Sequence, residues 1–398
     1  MTLDVLIIGG GPAGATTAIL LAEAGWSVGL IEKKEFPRKK VCGEFISATS
    51  LPLLQRLGLE QFCSENGGPE VTKVGLYAGD VILTANMPRL TATNPYGRAF
   101  GREYLDTALV NKAKLNGVYI WQPCEAIDVQ HKQGLFFCTI KKENKTLDLI
   151  RSSLVIIAHG SWGKKIDSSD VKTHKSSDLL AFKTHFNNCS LPTNLMPLLA
   201  FPGGYGGMVH STEQQVTLSC CIRRDTLQNL RLKSPDLPAG EAVFQYIKTH
   251  CHGVREAFDQ AQNEEKWLAS GPIQPGIRNC YKKGIFFVGN IAGEAHPIVA
   301  EGISMAIQSA WLLSQSLIQF NIKQNKNQND VGEYYTQQWH KYFAPRIRTS
   351  AFFAHLAMIK PWGRVLLLPL IQQFPTLLTL GAKFSGKIQQ IVPIDNRK

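Results

Sequence analysis

The chain has 398 residues, 44% of them hydrophobic and 19% charged, with a net charge of +12. That length suits two domains, or one large domain carrying an insertion, and that balance excludes a disordered or low-complexity chain. The apolar run Val365 to Ile371 spans seven residues and contains Pro369, and no run approaches the roughly 20 residues a membrane-spanning helix needs.

The first apolar stretch, Leu3 to Ile8, reads as a buried strand and runs directly into a glycine loop at Gly9, so no secretory signal is expected. Thr16 to Ala24 predicts a helix and Ser27 to Ile31 the next strand, a β-α-β unit that implies a parallel sheet. Leu51 to Leu57 predicts a short helix, Val74 to Thr84 a hairpin turning at Gly79-Asp80, and Glu103 to Asn116 a helix stopped by Gly117. Residues 118–157 alternate as strands and close on the buried strand Leu154 to Ala158. Beyond Ser161 the texture changes to short strands at 179–186, 195–201 and 215–223, broken by Gly, Pro and Asn, and then a helix from Glu241 to His250. Gly284 to Gly289 returns to the buried-strand pattern, Gly302 to Gln319 predicts a long helix, and Asn321 to Asp330 reads as a polar connector. The fold class is therefore α/β: a Rossmann-like nucleotide-binding domain with an inserted antiparallel β-sheet substrate domain and a C-terminal helical segment. The first comprises residues 1–75, 99–160 and 276–325, the second 76–98 and 161–275, and the third 331–398.

Nine cysteines, an odd number with no Cys-x-x-Cys pair, offer neither a disulfide framework nor a zinc site. No metal is expected; His250-Cys251-His252 reads as a helix end, and reduced thiols point to a cytoplasmic protein.

Gly9-Gly10-Gly11-Pro12-Ala13-Gly14 supplies Gly-x-Gly-x-x-Gly between a strand and a helix. The first glycine permits the tight turn, Gly11 lets the backbone approach a pyrophosphate, and Gly14 lets helix and strand pack. Free N–H groups at the helix start then face the phosphates. Glu32 follows 18 residues past Gly14, at the end of the next strand, where an acid bonds ribose hydroxyls. An acid there argues against a 2′-phosphate and leaves FAD or NAD as the dinucleotide.

Three further segments separate those two. Phe36-Pro37-Arg38-Lys39-Lys40-Val41-Cys42-Gly43-Glu44 resembles the segment beside the flavin in geranylgeranyl reductases and related flavoprotein monooxygenases and halogenases. Arg102 with Leu105-Asp106 resembles their Arg-x-x-Leu-Asp helix start. Gly289-Asn290-Ile291-Ala292-Gly293, Pro297 and Glu301-Gly302-Ile303 resemble their Gly-Asp-Ala-Ala-Gly…Pro…Gly-Glu-Gly-Ile segment, whose acid meets the flavin ribityl chain. The likeness spans residues 1 to about 320 and is to FAD-dependent monooxygenases and geranylgeranyl reductase-like flavoproteins of the para-hydroxybenzoate hydroxylase type, with a glutathione-reductase-type FAD fold. It departs from the pattern at Asn290, which stands for the ribityl acid and is expected to accept Asp in its place, and at His159-Gly160 and Ala300.

The resemblance implies FAD as cofactor, contacted by Gly9, Gly11, Pro12, Ala13, Gly14, Glu32, Lys33, Cys42, Gly43, Arg102, Asn290, Pro297, Gly302 and Ile303. NAD(P)H is implied as a transient electron donor, because no second Gly-x-Gly-x-x-Gly exists. Cys42 and His296 are the candidate catalytic residues beside the flavin; the competing readings are a small buried hydrophobe and a hydrogen-bonded structural histidine. Tyr205, within Phe201-Pro202-Gly203-Gly204-Tyr205-Gly206-Gly207, is the candidate on the substrate side, where the glycines leave room for a ligand. The leading expectation is monooxygenation of a hydrophobic (aromatic, polyketide or lipid-like) substrate; the alternatives are reduction of isoprenoid double bonds and a flavin- or lipid-binding protein without turnover. The Trp-x-Trp-x-Ile-Pro signature of tryptophan halogenases is absent.

The charge is concentrated at the C-terminus, where Trp339 to Lys398 holds nine Lys or Arg against the single acid Asp395. Its basic residues flank Phe352, Phe353, Trp362 and Val365 to Leu368, the composition of a surface that meets anionic headgroups. Two readings stand: peripheral contact of residues 352–387 with the inner face of a membrane, through Lys360, Arg364, Lys383 and Lys387, or an internally packed helical subdomain. No nucleic-acid-binding module accompanies the charge, so nucleic acid is not an expected partner.

Overall fold

The computed structural model describes residues 2–143, 147–161, 174–263, 265–322, 327–358 and 368–391. Five strands form its parallel core in the order Ile285–Phe287, Leu147–Ile157, Thr2–Ile8, Val28–Ile31, Tyr119–Trp121. Val5 pairs with Leu154 on one side and Val28 on the other, so the chain leaves the first strand in both directions. A sheet that reverses its order there opens a crevice at the carboxyl ends of the strands. Both faces of this sheet are covered, which explains its unbroken apolar strands. The helices Pro12–Glu23 and Gly302–Gln319 cover one face, while Leu3, Leu6 and Ile8 pack against Phe136, Cys138 and Ile140 on the other.

The second sheet has seven strands, ordered Leu268–Ile273, Leu179–Asn187, Gln215–Arg223, Gly204–His210, Leu195–Phe201, Lys73–Ala78, Val81–Asn86. Neighbours are antiparallel except Leu195–Phe201 and Lys73–Ala78, which run parallel because they come from distant parts of the chain. One face buries Phe182, Leu199, Phe201 and Leu218 against the helices Ala239–His250 and His252–Ala257. The opposite face, carrying Ala181, Met196, Leu198, Tyr205 and Gly207, turns toward the crevice.

The hairpin turns at Gly79-Asp80 as expected, between Lys73–Ala78 and Val81–Asn86, so the second sheet's strand starts at Lys73. The polar connector is shorter than expected. Gln328–Ala357 is one helix of 30 residues that starts inside the Asn- and Gln-rich stretch. Its buried stripe, Val331, Tyr335, Trp339 and Phe343, recurs every four residues and outweighs the polar composition of its first turn. Beyond it come a helix at 368–373, the helix Thr376–Ala382, which packs on the edge strands Lys73–Ala78 and Val81–Asn86 of the second sheet, and the turn Lys383–Lys387, which packs on the 30-residue helix. Lys360, Trp362 and Arg364 lie outside the described residues. No described helix is long and apolar enough to cross a membrane.

Candidate functional site

A cavity of about 660 Å³ opens where the parallel strands end and runs to the inner face of the second sheet, a size within the roughly 300–1,000 Å³ of small-molecule sites. Its floor is built by the first turn of the fold. Gly9 takes φ +114°, a conformation that favours glycine, and the loop lands on Pro12 at the start of a helix. A Cβ on Gly11 would meet nothing within 4 Å, so this position faces open cavity. A Cβ on Gly14 would sit 1.8 Å from the Gly9 carbonyl oxygen; Gly14 lies behind the loop and serves helix–strand packing.

Glu32 closes this end. Its carboxylate accepts from the backbone N–H of Gly10 and of Lys34, both at 2.8 Å, and lies 3.4 Å from an Arg38 nitrogen. Lys33, expected at the cofactor, stands on the rim with Nζ 2.7 Å from Glu125. Arg102 is buried on the wall and grips Asp106 with two bonds of 2.8 and 2.7 Å. Burial alone would lower its pKa, but Asp106 overrides that and holds it above the ordinary value. Burial, with Arg102 and Arg38 beside it, pushes Lys40 down to about 8. Arg38, Lys40 and Arg102 thus bring three basic side chains to the cavity beside Glu32.

Farther along, Asn290 donates its amide to Ser161 at 3.1 Å and to Glu294 at 3.3 Å. Glu294 also lines the cavity; burial raises its pKa, and its Oε2 has no hydrogen bond although Arg278 comes to 3.5 Å. That 3.5 Å separation exceeds ordinary N–H···O length, so the ion pair leaves Oε2 without a hydrogen bond. An acid is therefore present beside Asn290 after all, four residues along the chain. Asp at position 290, which the sequence is expected to tolerate, would place two carboxylates side by side. Asn290→Asp is expected to weaken flavin binding by about 1.5–3 kcal/mol, the worth of a hydrogen bond to a charged group. Flavin titration checks this, and Glu294→Gln in the same chain should restore most of the loss.

Cys42, Gly43, Pro297, Gly302 and Ile303 line the same cavity. Tyr205 is on its wall, 1% exposed, with its hydroxyl 3.0 Å from His296 Nδ1. His296 lies beside Tyr205. It is not among the lining residues, its backbone N–H donates to Ser350 at 2.9 Å, and burial lowers its pKa to about 4. Neutral and hydrogen-bonded to Tyr205, His296 has the contacts of the structural reading rather than those of a proton donor. Burial holds the Cys221 thiol up at about 12 and the Tyr205 hydroxyl well above its usual value, so both stay protonated.

Sequence reasoning missed a buried charge cluster beneath Cys42. Glu44, fully buried, pairs with Lys183, accepts from Thr217 Oγ1 at 2.6 Å and lies 3.2 Å from His185 Nε2. His185 Nδ1 lies 2.7 Å from Glu265, which meets Lys39 at 2.5 Å nearer the surface. Glu44 takes φ +62°, a strained conformation for a side-chain-bearing residue. The bonds to its carboxylate fix that turn and so position Cys42 and Gly43 on the cavity wall. The signal was in the strand Leu179–Asn187, where Lys183 and His185 share one face of a segment that begins Leu-Leu-Ala-Phe. Their cross-strand partners are Ser219 and Thr217.

A family model described as FAD binding domain matches residues 2–336. Conditioned medium factor receptor 1 of Dictyostelium discoideum is 24% identical over 345 residues, covering 82% of this chain; the matched region spans 65% of the receptor's length. Among solved structures, the flavin-dependent brominase Bmp2 matches with a TM-score of 0.76 at 18% identity, over 97% of this chain and 94% of the brominase. A geranylgeranyl bacteriochlorophyll reductase-like protein from Thermoplasma acidophilum matches with a TM-score of 0.72 at 20% identity, over 99% and 94%. At such identities the structural likeness is one of fold.

Proposed function

The chain belongs to the FAD binding domain family; from that premise we propose that it is an FAD-dependent oxidoreductase that hydroxylates a hydrophobic substrate, with NAD(P)H as transient donor and dioxygen as co-substrate. One observation carries this reading. A single cavity has a dinucleotide end built by Gly9, Gly11 and Glu32, and an apolar end formed by Ala181, Met196, Leu198, Gly207 and Val209.

The residues present fit FAD. Gly11 faces open space where a backbone must approach a pyrophosphate, and the helix at Pro12 turns its free N–H groups there. Glu32 stands at the end of the second strand, where an acid bonds a ribose, and Oε2 of Glu294, ion-paired with Arg278 but without a hydrogen bond, has room to accept from a ligand hydroxyl. When bound, FAD supplies hydride acceptance and oxygen activation, while the protein supplies position, electrostatics and exclusion of water. The second sheet gives the substrate an apolar wall, and Gly207, with only the Pro197 carbonyl oxygen 3.4 Å from where its Cβ would lie, leaves depth in it. In the balanced reaction one oxygen atom enters the substrate as a hydroxyl, the other leaves as water, and NAD(P)H is oxidised.

The second reading, reduction of an isoprenoid double bond, draws on Tyr205 and Cys221. Both line the wall and carry a proton that would follow a hydride to carbon, although burial makes each a weaker acid than usual. Incubation with NADH or NADPH, a membrane-lipid extract and isotope-labelled dioxygen separates the two. Product carrying one labelled oxygen supports hydroxylation; product heavier only by two hydrogens, formed without dioxygen, supports reduction. Bound flavin that neither nicotinamide reduces would overturn both.

A further inference from the structure

Tyr334 to Ile394 contains no Asp or Glu, yet carries seven Lys or Arg. Two of these are already used. Lys387 is buried, with Nζ 2.6 Å from Glu301 and 2.8 Å from the Val299 carbonyl oxygen, and Arg346 is buried 3.9 Å from Glu301. This corrects the expectation that Lys387 meets a membrane: it clamps the C-terminal turn onto the loop before Gly302. Lys341, Arg348 and Lys383 remain exposed on the described part of the segment.

The same segment shows large apolar side chains to solvent. Phe352 is 59% exposed, Leu370 and Phe374 50%, Leu380 45% and Phe384 64%. The helix Thr376–Ala382 divides its faces by spacing. Leu378 and Ala382 turn inward against Phe45, Met196 and Val209, three residues of the cavity wall, while Leu377 and Leu380 turn outward. Thr379 anchors the same helix by donating to the Asn86 carbonyl oxygen at 2.6 Å. The helix therefore has an inner packing face, while its outer residues Leu377 and Leu380 stay 39% and 45% exposed.

We propose that this outer face docks on an anionic lipid bilayer, lying in the interface without crossing it. Exposed phenylalanines and leucines beside lysine and arginine, with no carboxylate to repel phosphate, fit the headgroup–acyl boundary. Because the inner face of the same helix packs on the cavity wall, docking brings the apolar end of the cavity to the membrane. The docking surface stands whichever reaction the cavity performs.

The test uses the full chain with its flavin and two sets of vesicles, phosphatidylcholine alone and phosphatidylcholine with phosphatidylglycerol. The protein is expected to sediment with the mixed vesicles and to be released by salt, since attraction is screened beyond a Debye length of roughly 8 Å at physiological ionic strength. Phe374→Glu with Phe384→Glu should weaken that binding about tenfold or more and leave flavin content unchanged, both side chains being exposed. Leu232→Glu, at an 81% exposed leucine of the helix Arg224–Lys233, should bind as the parent does. Absence of binding to anionic vesicles would overturn the proposal. So would unchanged binding of the double variant, or a concentration-dependent dimer that the double variant dissolves while neither form sediments.

Discussion

Glu44→Gln is expected to lower folding stability by about 3–5 kcal/mol at neutral pH, the cost of breaking a buried ion pair from one side. The change leaves Lys183, fully buried, without its carboxylate partner, and weakens the bonds from Thr217, His185 and the Arg102 backbone N–H. Burial alone would raise the Glu44 pKa; His185 and Lys183 reverse that and bring it to about 2. A carboxylate lowered on folding stabilises the protein above its unfolded pKa, and that contribution is lost as pH falls toward about 2. The gap between parent and variant should therefore be widest near neutrality and close in acid, as urea unfolding at several pH values would show. Pairing Glu44→Gln with Lys183→Met should recover much of the loss, because an apolar replacement removes the stranded charge. A single variant within about 1 kcal/mol of the parent would mean that the cluster is solvated and does not set the Cys42 turn.

Gly14→Ala should be nearly as severe for a different reason. The new methyl would lie 1.8 Å from a backbone oxygen, and no side-chain rotation relieves such a contact. Strand, loop and helix must separate, at a cost at or above the roughly 3 kcal/mol end of overpacking penalties. Thermal unfolding should show a large fall in midpoint and a loss of flavin together. Gly11 gives the contrast: its open surroundings predict a folded protein after substitution, with the damage confined to the ligand.

What was legible from sequence follows what is local in the chain. The β-α-β unit, the glycine loop and Glu32 lie within the first 32 residues, and their spacing alone places them at one crevice. The hairpin at Gly79-Asp80 and the long helix from Gly302 were equally readable from turn chemistry and periodicity. The Glu44 cluster was not, since Lys183, His185, Thr217 and Glu265 come from three distant segments and meet only through strand pairing. Glu294 was overlooked because the resemblance directs attention to position 290, whereas the structure brings a carboxylate from one turn further on. At the C-terminus, composition located the basic and apolar character correctly but not its division. Lys387 and Arg346 turn in to Glu301, while Phe374 and Phe384 turn out.

The central claim, that this cavity holds FAD, is tested most directly by the flavin released on denaturing purified parent and Gly11→Val proteins. The account predicts an equimolar yield of FAD and no FMN from the parent. From Gly11→Val it predicts almost none, with the thermal unfolding of the flavin-stripped proteins unchanged. Full retention of FAD by Gly11→Val, or FMN from the parent, would contradict it.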